Sequence, residues 1–215
     1  MQEKWYFTKF ARPYLRNKIK IPLNKIKQVQ EFVNTLVPEL MKRERYKKFE
    51  KAEMVEKTYS NGIYAEVANS IFINYDYVDF QIKKEGEEEL SDLSNMGLNI
   101  GVKTVKIGNG LPLVYNSFIK FPEIISVLDL PYVYIIGYAT IPMIKYYKSR
   151  NYVWGDAEKN SSKCGYWGFH KLYEFKTLEE LKKLYSNKSL NSYNNFIDTV
   201  KDYPTNENIL EFEFS

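Results

Sequence analysis

Two segments carry residue types that could do chemistry: NYDYVDFQIKK over 74–84 and NIGVKTVKIGN over 99–109. Both are dense in aromatic and β-branched residues, which predicts strands. Alternation along the first puts Tyr75, Tyr77, Asp79 and Gln81 on one face, with Asp76, Val78, Phe80 and Ile82 on the other. In the second, Gly101, Lys103 and Val105 share a face, while Lys106 points away with Val102 and Thr104. If the two strands are neighbours, Asp79 and Lys103 converge at one place. A carboxylate is a hard oxygen ligand for Mg²⁺, and the cation activates water and stabilises charge on a phosphate. A lysine beside it positions the attacking water and faces the developing negative charge. Such a pair suits metal-assisted phosphodiester hydrolysis.

The elements that must position these side chains follow from pattern. Pro22 and Asn24 open a helical stretch with Ile26, Val29, Phe32, Val33, Leu36 and Val37 on one face. Pro38 interrupts it, and Glu39 to Lys57 reads as a second helix with Leu40, Met41, Phe49 and Val55 inward. Asn61-Gly62 is a stop signal, followed by a short helix over about 63–71 that carries Glu66. Strands are expected over Phe72 to Lys83 and Leu98 to Ile107, separated by EGEEELSDLSNMG, an acidic and solvated loop. Pro112 to Phe118 reads as a further strand, Phe121 to Leu128 as a short helix and Tyr132 to Ala139 as a buried strand. Pro142 to Tyr147 suits a helical turn, and Thr177 caps a helix over Leu178 to Tyr185, with Glu180 at the capping-box position. The fold class expected is α/β (α+β), a central mixed β-sheet flanked by helices. No Gly/Ser linker or internal repeat breaks the chain. One domain over 1–215 is therefore expected: a basic helical arm (1–57), a core (61–185) and a C-terminal tail (186–215).

Composition narrows the chemistry further. The chain has 215 residues, 44% hydrophobic and 27% charged, as in ordinary globular proteins. A single histidine, His170, excludes mechanisms that need two imidazoles, and a single cysteine, Cys164, excludes disulfide frameworks and multi-thiolate zinc sites. His170 lies among aromatic residues and reads as packed core. Carboxylates, lysines, tyrosines and an oxygen-liganded metal remain.

Charge is unevenly spread. Residues 1–57 carry 15 Lys/Arg against 7 Asp/Glu, a net +8, whereas the other 158 carry 16 against 20, a net −4. A basic arm interleaved with Trp5, Tyr6, Phe7, Phe10 and Tyr14 is a footprint for a polyanion such as nucleic acid. Lys4, Lys9, Arg12 and Arg16 are candidate phosphate contacts. Arg150, Asn151 and Lys163 lie in a polar loop whose side-chain types suit contacts to base edges. No run of 18 apolar residues exists and no apolar leader opens the chain, so the expected compartment is the cytoplasm.

The strand Val78-Asp79-Phe80, followed 24 residues later by Val102-Lys103 and preceded by a helix bearing Glu66, resembles the PD-(D/E)xK nuclease superfamily. The later layout, a buried strand VYIIGYAT and then WGFHKLYEFKTLEELKKL, is similar to type II restriction endonucleases. The resemblance covers roughly residues 61–185 and implies a restriction-endonuclease-like core with an N-terminal helical extension. It implies a Mg²⁺-dependent endonuclease that cuts double-stranded DNA at a specific sequence to leave 5′-phosphate ends, acting as a homodimer on a palindromic site. Asp79 would bind metal and Lys103 would assist the nucleophile. The position two before the lysine, acidic in that family, is Gly101 here. Glu66 is the expected replacement, and the backbone carbonyl of Val102 would complete the metal shell. The alternative is a non-catalytic DNA-binding regulatory protein that has lost the second metal carboxylate.

Overall fold

A computed structural model describes residues 11–43, 52–82, 91–108, 111–115, 120–149, 163–192 and 195. Along the chain these form β1 (Lys18–Lys20), α1 (Leu23–Met41), α2 (Ala52–Phe72), β2 (Gly101–Lys106), β3 (Leu113–Tyr115), β4 (Glu123–Asp129), β5 (Tyr132–Ala139), α3 (Ile141–Tyr147), β6 (Lys148–Ser149), β7 (Lys163–Tyr166) and α4 (Leu178–Ser186). The main sheet has the order β1-β5-β4-β2, and a smaller sheet has the order β3-β7-β6. Strand β2 runs parallel to β4, and the other pairs are antiparallel. The architecture is thus mixed α/β with a mixed central sheet, as the element pattern predicts.

Alternation along the strands divides the interior into two cores. Ile100, Val102, Ile124, Leu128, Val133 and Ile135 pack against α1 and α2. Ile125, Val127 and Ile136 face the opposite way and pack with Met143 and Ile144 of α3, Tyr147, Tyr166 and Phe169. Strand β4 is buried on both faces because one core packs against each, while its edges pair with β5 and β2. Its register with β5 shifts between Ile125 and Ser126, opposite Gly137. Gly137 has φ +153°, and a Cβ there would stand 2.6 Å from the Tyr173 carbonyl, so only glycine fits.

Several sequence expectations hold. Strand β5 and helices α3 and α4 lie where expected, and Thr177 accepts a hydrogen bond from the Glu180 amide at 3.2 Å. Others are corrected. Pro38 does not end α1, which runs on to Met41. Pro38 has no N–H to give the Asn34 carbonyl, but Leu40 beyond it is fully packed; burial of one such leucine contributes about 2 kcal/mol, which offsets much of that loss. Asn61-Gly62 does not stop a helix, since α2 runs unbroken to Phe72. Buried Val55 on one side and Ile63, Tyr64 and Val67 on the other hold it, against a glycine cost of about 1 kcal/mol.

The stretch expected as a helix over Phe121 to Leu128 is strand from Glu123 onward. A short apolar run has no period that separates the two, and the central slot in the sheet decides the matter. The largest departure is 72–83, where residues 73–82 form turns and irregular chain. Asn74 takes φ +52°, and the Ser70 hydroxyl donates to the Tyr75 carbonyl at 2.9 Å. The Asn95 amide donates to the Tyr77 carbonyl at 2.8 Å. These local bonds satisfy the backbone in place of a strand ladder.

Candidate active site

Lys103 leaves β2 on the face that alternation assigns it. Gly101 and Lys103 pair in register with Glu123 and Ile125 of β4, so Glu123 stands on the same face as Lys103. Its Oε1 lies 3.6 Å from Lys103 Nζ. An ideal Cβ on Gly101 would stand 2.2 Å from Glu123 Oε2. The space over Gly101 is therefore filled by a carboxylate from the neighbouring strand. Any larger residue at 101 would expel it. The Gly101 amide, donating to the Pro122 carbonyl at 2.9 Å, fixes the two strand starts together.

A second carboxylate comes from the acidic loop. The Leu93 amide donates to the Ile100 carbonyl at 3.1 Å, and the Ser91 hydroxyl donates to the Leu98 carbonyl at 3.1 Å. This closed loop sets Asp92 against the outer edge of β2, where its Oδ2 accepts the Val102 amide. Behind it lies Tyr77, fully buried, with a hydroxyl that has no hydrogen-bond partner. Burial raises the Tyr77 pKa well above normal, and the nearby charges of Glu66 and Asp92 push the same way. Glu66, half-buried on α2, thus reaches the same neighbourhood from the helix side.

Burial raises the pKa of Glu123 to about 7; Lys103 pulls it down and Asp92 pushes it up. Its Oε2 is buried without a hydrogen-bond partner. A carboxylate that keeps one oxygen unsatisfied in the interior is costly, and a hard cation is one group that would satisfy it. Among the described residues no three or more His, Cys, Asp or Glu side chains are grouped to hold a metal ion. Asp92 and Glu123 are two carboxylates, the number with which Mg²⁺ commonly binds when phosphate and water supply the rest.

The other sequence candidates fall into three groups. Lys103 is at this place and Val102 precedes it on β2, while Glu66 lies on α2, near enough to Tyr77 for its charge to act there. Asp79 is exposed, outside any strand, and its Oδ1 accepts the Gln81 amide at 3.0 Å in a local turn. Arg16 is engaged within the fold: it donates to the Ile136 carbonyl, to the Leu172 carbonyl at 3.2 Å and to Glu174. Arg12 is exposed in a short turn of 3₁₀ helix. Lys4, Lys9, Arg150 and Asn151 lie outside the described residues, and of Lys163 only the backbone, on β7, is described. His170 packs beside Tyr147, Trp167 and Tyr14, with ring centroids 5.2 to 6.1 Å away. Burial lowers its pKa, and Lys171 adds to the effect.

Sequence reasoning missed Asp92 and Glu123. The one local signal for Glu123 was its place at the head of a β-branched run, FPEIISVL, which marks a strand but not the strand it pairs with. Asp92 gave no comparable signal among the acids of its loop.

No family model, no curated protein and no solved structure matches the chain. No helix among the described residues is long and apolar enough to cross a membrane.

Proposed function

We propose that the chain is a Mg²⁺-dependent endonuclease with its site at the start of β2, where Asp92 and Glu123 hold the cation and Lys103 attends the reacting phosphate. The observation that carries this reading is Glu123, whose carboxylate fills the space over Gly101, 3.6 Å from Lys103 Nζ, with one buried oxygen unsatisfied. Bound there, Mg²⁺ would neutralise charge on a scissile phosphodiester. Lys103 would donate to a phosphate oxygen and orient the attacking water. Glu66, across Tyr77 from Asp92, would add negative potential from the helix side. The substrate expected is double-stranded DNA, read by a homodimer and cut to leave 5′-phosphate ends. The N-terminal positive excess supports a polyanionic substrate.

The test is incubation of long duplex DNA with the pure chain, in Mg²⁺ or in EDTA. Cleavage is expected only with Mg²⁺, and Glu123→Gln and Lys103→Ala should each slow it by about 10²-fold or more. Discrete fragments would mark a specific site, whereas a smear would keep the nuclease and remove sequence specificity. Intact DNA that nevertheless shifts on a gel would replace this reading with the non-catalytic DNA-binding protein. Cleavage untouched by Glu123→Gln would move the site elsewhere.

A further inference from the structure

Strand β1 ends the main sheet at the side away from β2. Its register with β5 sets Lys18 opposite Tyr134 and Lys20 opposite Tyr132. Cross-strand partners share a face, so two lysines and two tyrosines stand together. Ile19, between the lysines, turns the other way and packs against the helix-side core. Both lysines are exposed and both tyrosines half-buried. Lys18 Nζ lies 4.0 Å from the Tyr132 ring centroid and 5.8 Å from that of Tyr134. Asp129, paired with Tyr132 at the end of β4, is an acid beside them.

Edge lysines alone are a common device against strand-to-strand aggregation. That device does not need aromatic rings on the adjoining interior strand. Tyrosine faces flanked by ammonium groups are instead the parts of a surface that takes a nucleic-acid strand, with rings for bases and cations for phosphates. Bases in a duplex are stacked on each other and offer no free face, so the ligand must be unpaired. Eight cations against the single acid Glu3 over residues 1–27, which include β1, complement such a strand in charge.

We propose that Lys18, Lys20, Tyr132 and Tyr134 form a binding site for an unpaired nucleic-acid strand. On binding, a base takes the Tyr132 face that Lys18 covers, and the lysine moves to the adjoining phosphate. This goes beyond the nuclease reading, shares with it only the nucleic-acid ligand, and does not depend on cleavage.

Fluorescence anisotropy of the full chain in EDTA tests it, with a labelled oligothymidylate of about 15 nucleotides, long enough for a site of this kind. The Tyr132→Ala/Tyr134→Ala chain should bind about tenfold or more weakly, whereas the doubly Phe-substituted chain, which keeps both rings, should bind as the wild type does. Lys18→Gln/Lys20→Gln should lower the slope of log affinity against log salt by about 1.4. Unchanged affinity in the alanine chain, or no binding by the wild type, overturns the site. So does binding that polyglutamate displaces and that the tyrosines do not influence, which would mark an acidic protein surface as the partner. Should the alanine chain not fold, photo-crosslinking of the wild type to 5-iodouracil oligonucleotide decides, since adducts must fall on Tyr132 or Tyr134. Glu123→Gln should bind like the wild type. Loss of cleavage without loss of binding, and the reverse in the tyrosine variants, keep this site and the nuclease reading separable.

Discussion

Two of the cation–carboxylate pairs among the described residues look alike in sequence terms and differ in physics. Arg16 meets Glu174, whose side chain is 61% exposed, while the guanidinium also donates to the carbonyls of Ile136 and Leu172. Lys103 meets Glu123, whose side chain is 8% exposed and keeps Oε2 without a hydrogen bond. The first pair ties the chain before β1 to β5 and to the segment before α4, with its carboxylate left in water. The second places a carboxylate in the interior and leaves part of it unsatisfied. The first pair adds hydrogen bonds to two carbonyls, whereas the second leaves a buried oxygen open, at a cost that a bound group would remove.

The largest effect that separates them is a pH dependence. Glu123 titrates near 7 in the folded chain against 4.5 for its ordinary value. The folded state keeps a proton there that the unfolded state has already lost. Its contribution to stability is therefore full below pH 4.5 and is lost as pH rises through 7. At 1.36 kcal/mol per pKa unit the loss by pH 8 is about 3 kcal/mol. Urea denaturation at pH 5 and pH 8 should show this fall in the wild type and a much smaller one in Glu123→Gln. Equal slopes in the two chains would show that Glu123 is solvated and that the two pairs do not differ.

Removing the cations should widen the contrast. Lys103→Ala strands Glu123 and should cost about 2.5 kcal/mol at pH 8, below the figure for a fixed charge because Glu123 can escape by taking a proton. At pH 5, where Glu123 is already protonated, the cost should nearly vanish. Arg16→Ala should cost about 2 kcal/mol through its two lost carbonyl bonds, and the same at pH 5 as at pH 8. A cost for Lys103→Ala that did not change with pH would make the second pair as structural as the first.

The two pairs were not equally legible in the sequence. Lys103 was readable because period-two alternation along NIGVKTVKIGN needs no tertiary information. Its partner was not, because Glu123 reaches it through a parallel pairing of β2 with β4, and pairing is a long-range fact. Asp79 drew attention because its neighbours are aromatic and β-branched. Asn74 in a left-handed conformation and the Asp79 to Gln81 turn nevertheless keep that stretch out of the sheet. Helix α1 was legible from its period, except for its run past Pro38, and α4 from its period and cap. Arg16 looked like one more cation of a basic arm, since nothing local announces that carbonyls of Ile136 and Leu172 await it.

The smallest expected effect tests the first pair from its carboxylate side. Glu174 is mostly in water, so its attraction for Arg16 is screened, and Glu174→Ala should cost less than about 1 kcal/mol. The asymmetry with Arg16→Ala is the point: the arginine is held by main-chain carbonyls that remain when Glu174 is gone. Burial lowers the Arg16 pKa and Glu174 only partly offsets this. Chemical denaturation of the two single variants and the double variant, at one pH, measures the coupling directly. A coupling above about 1 kcal/mol would show that Glu174 also holds the guanidinium in place. The two pairs would then differ in burial alone.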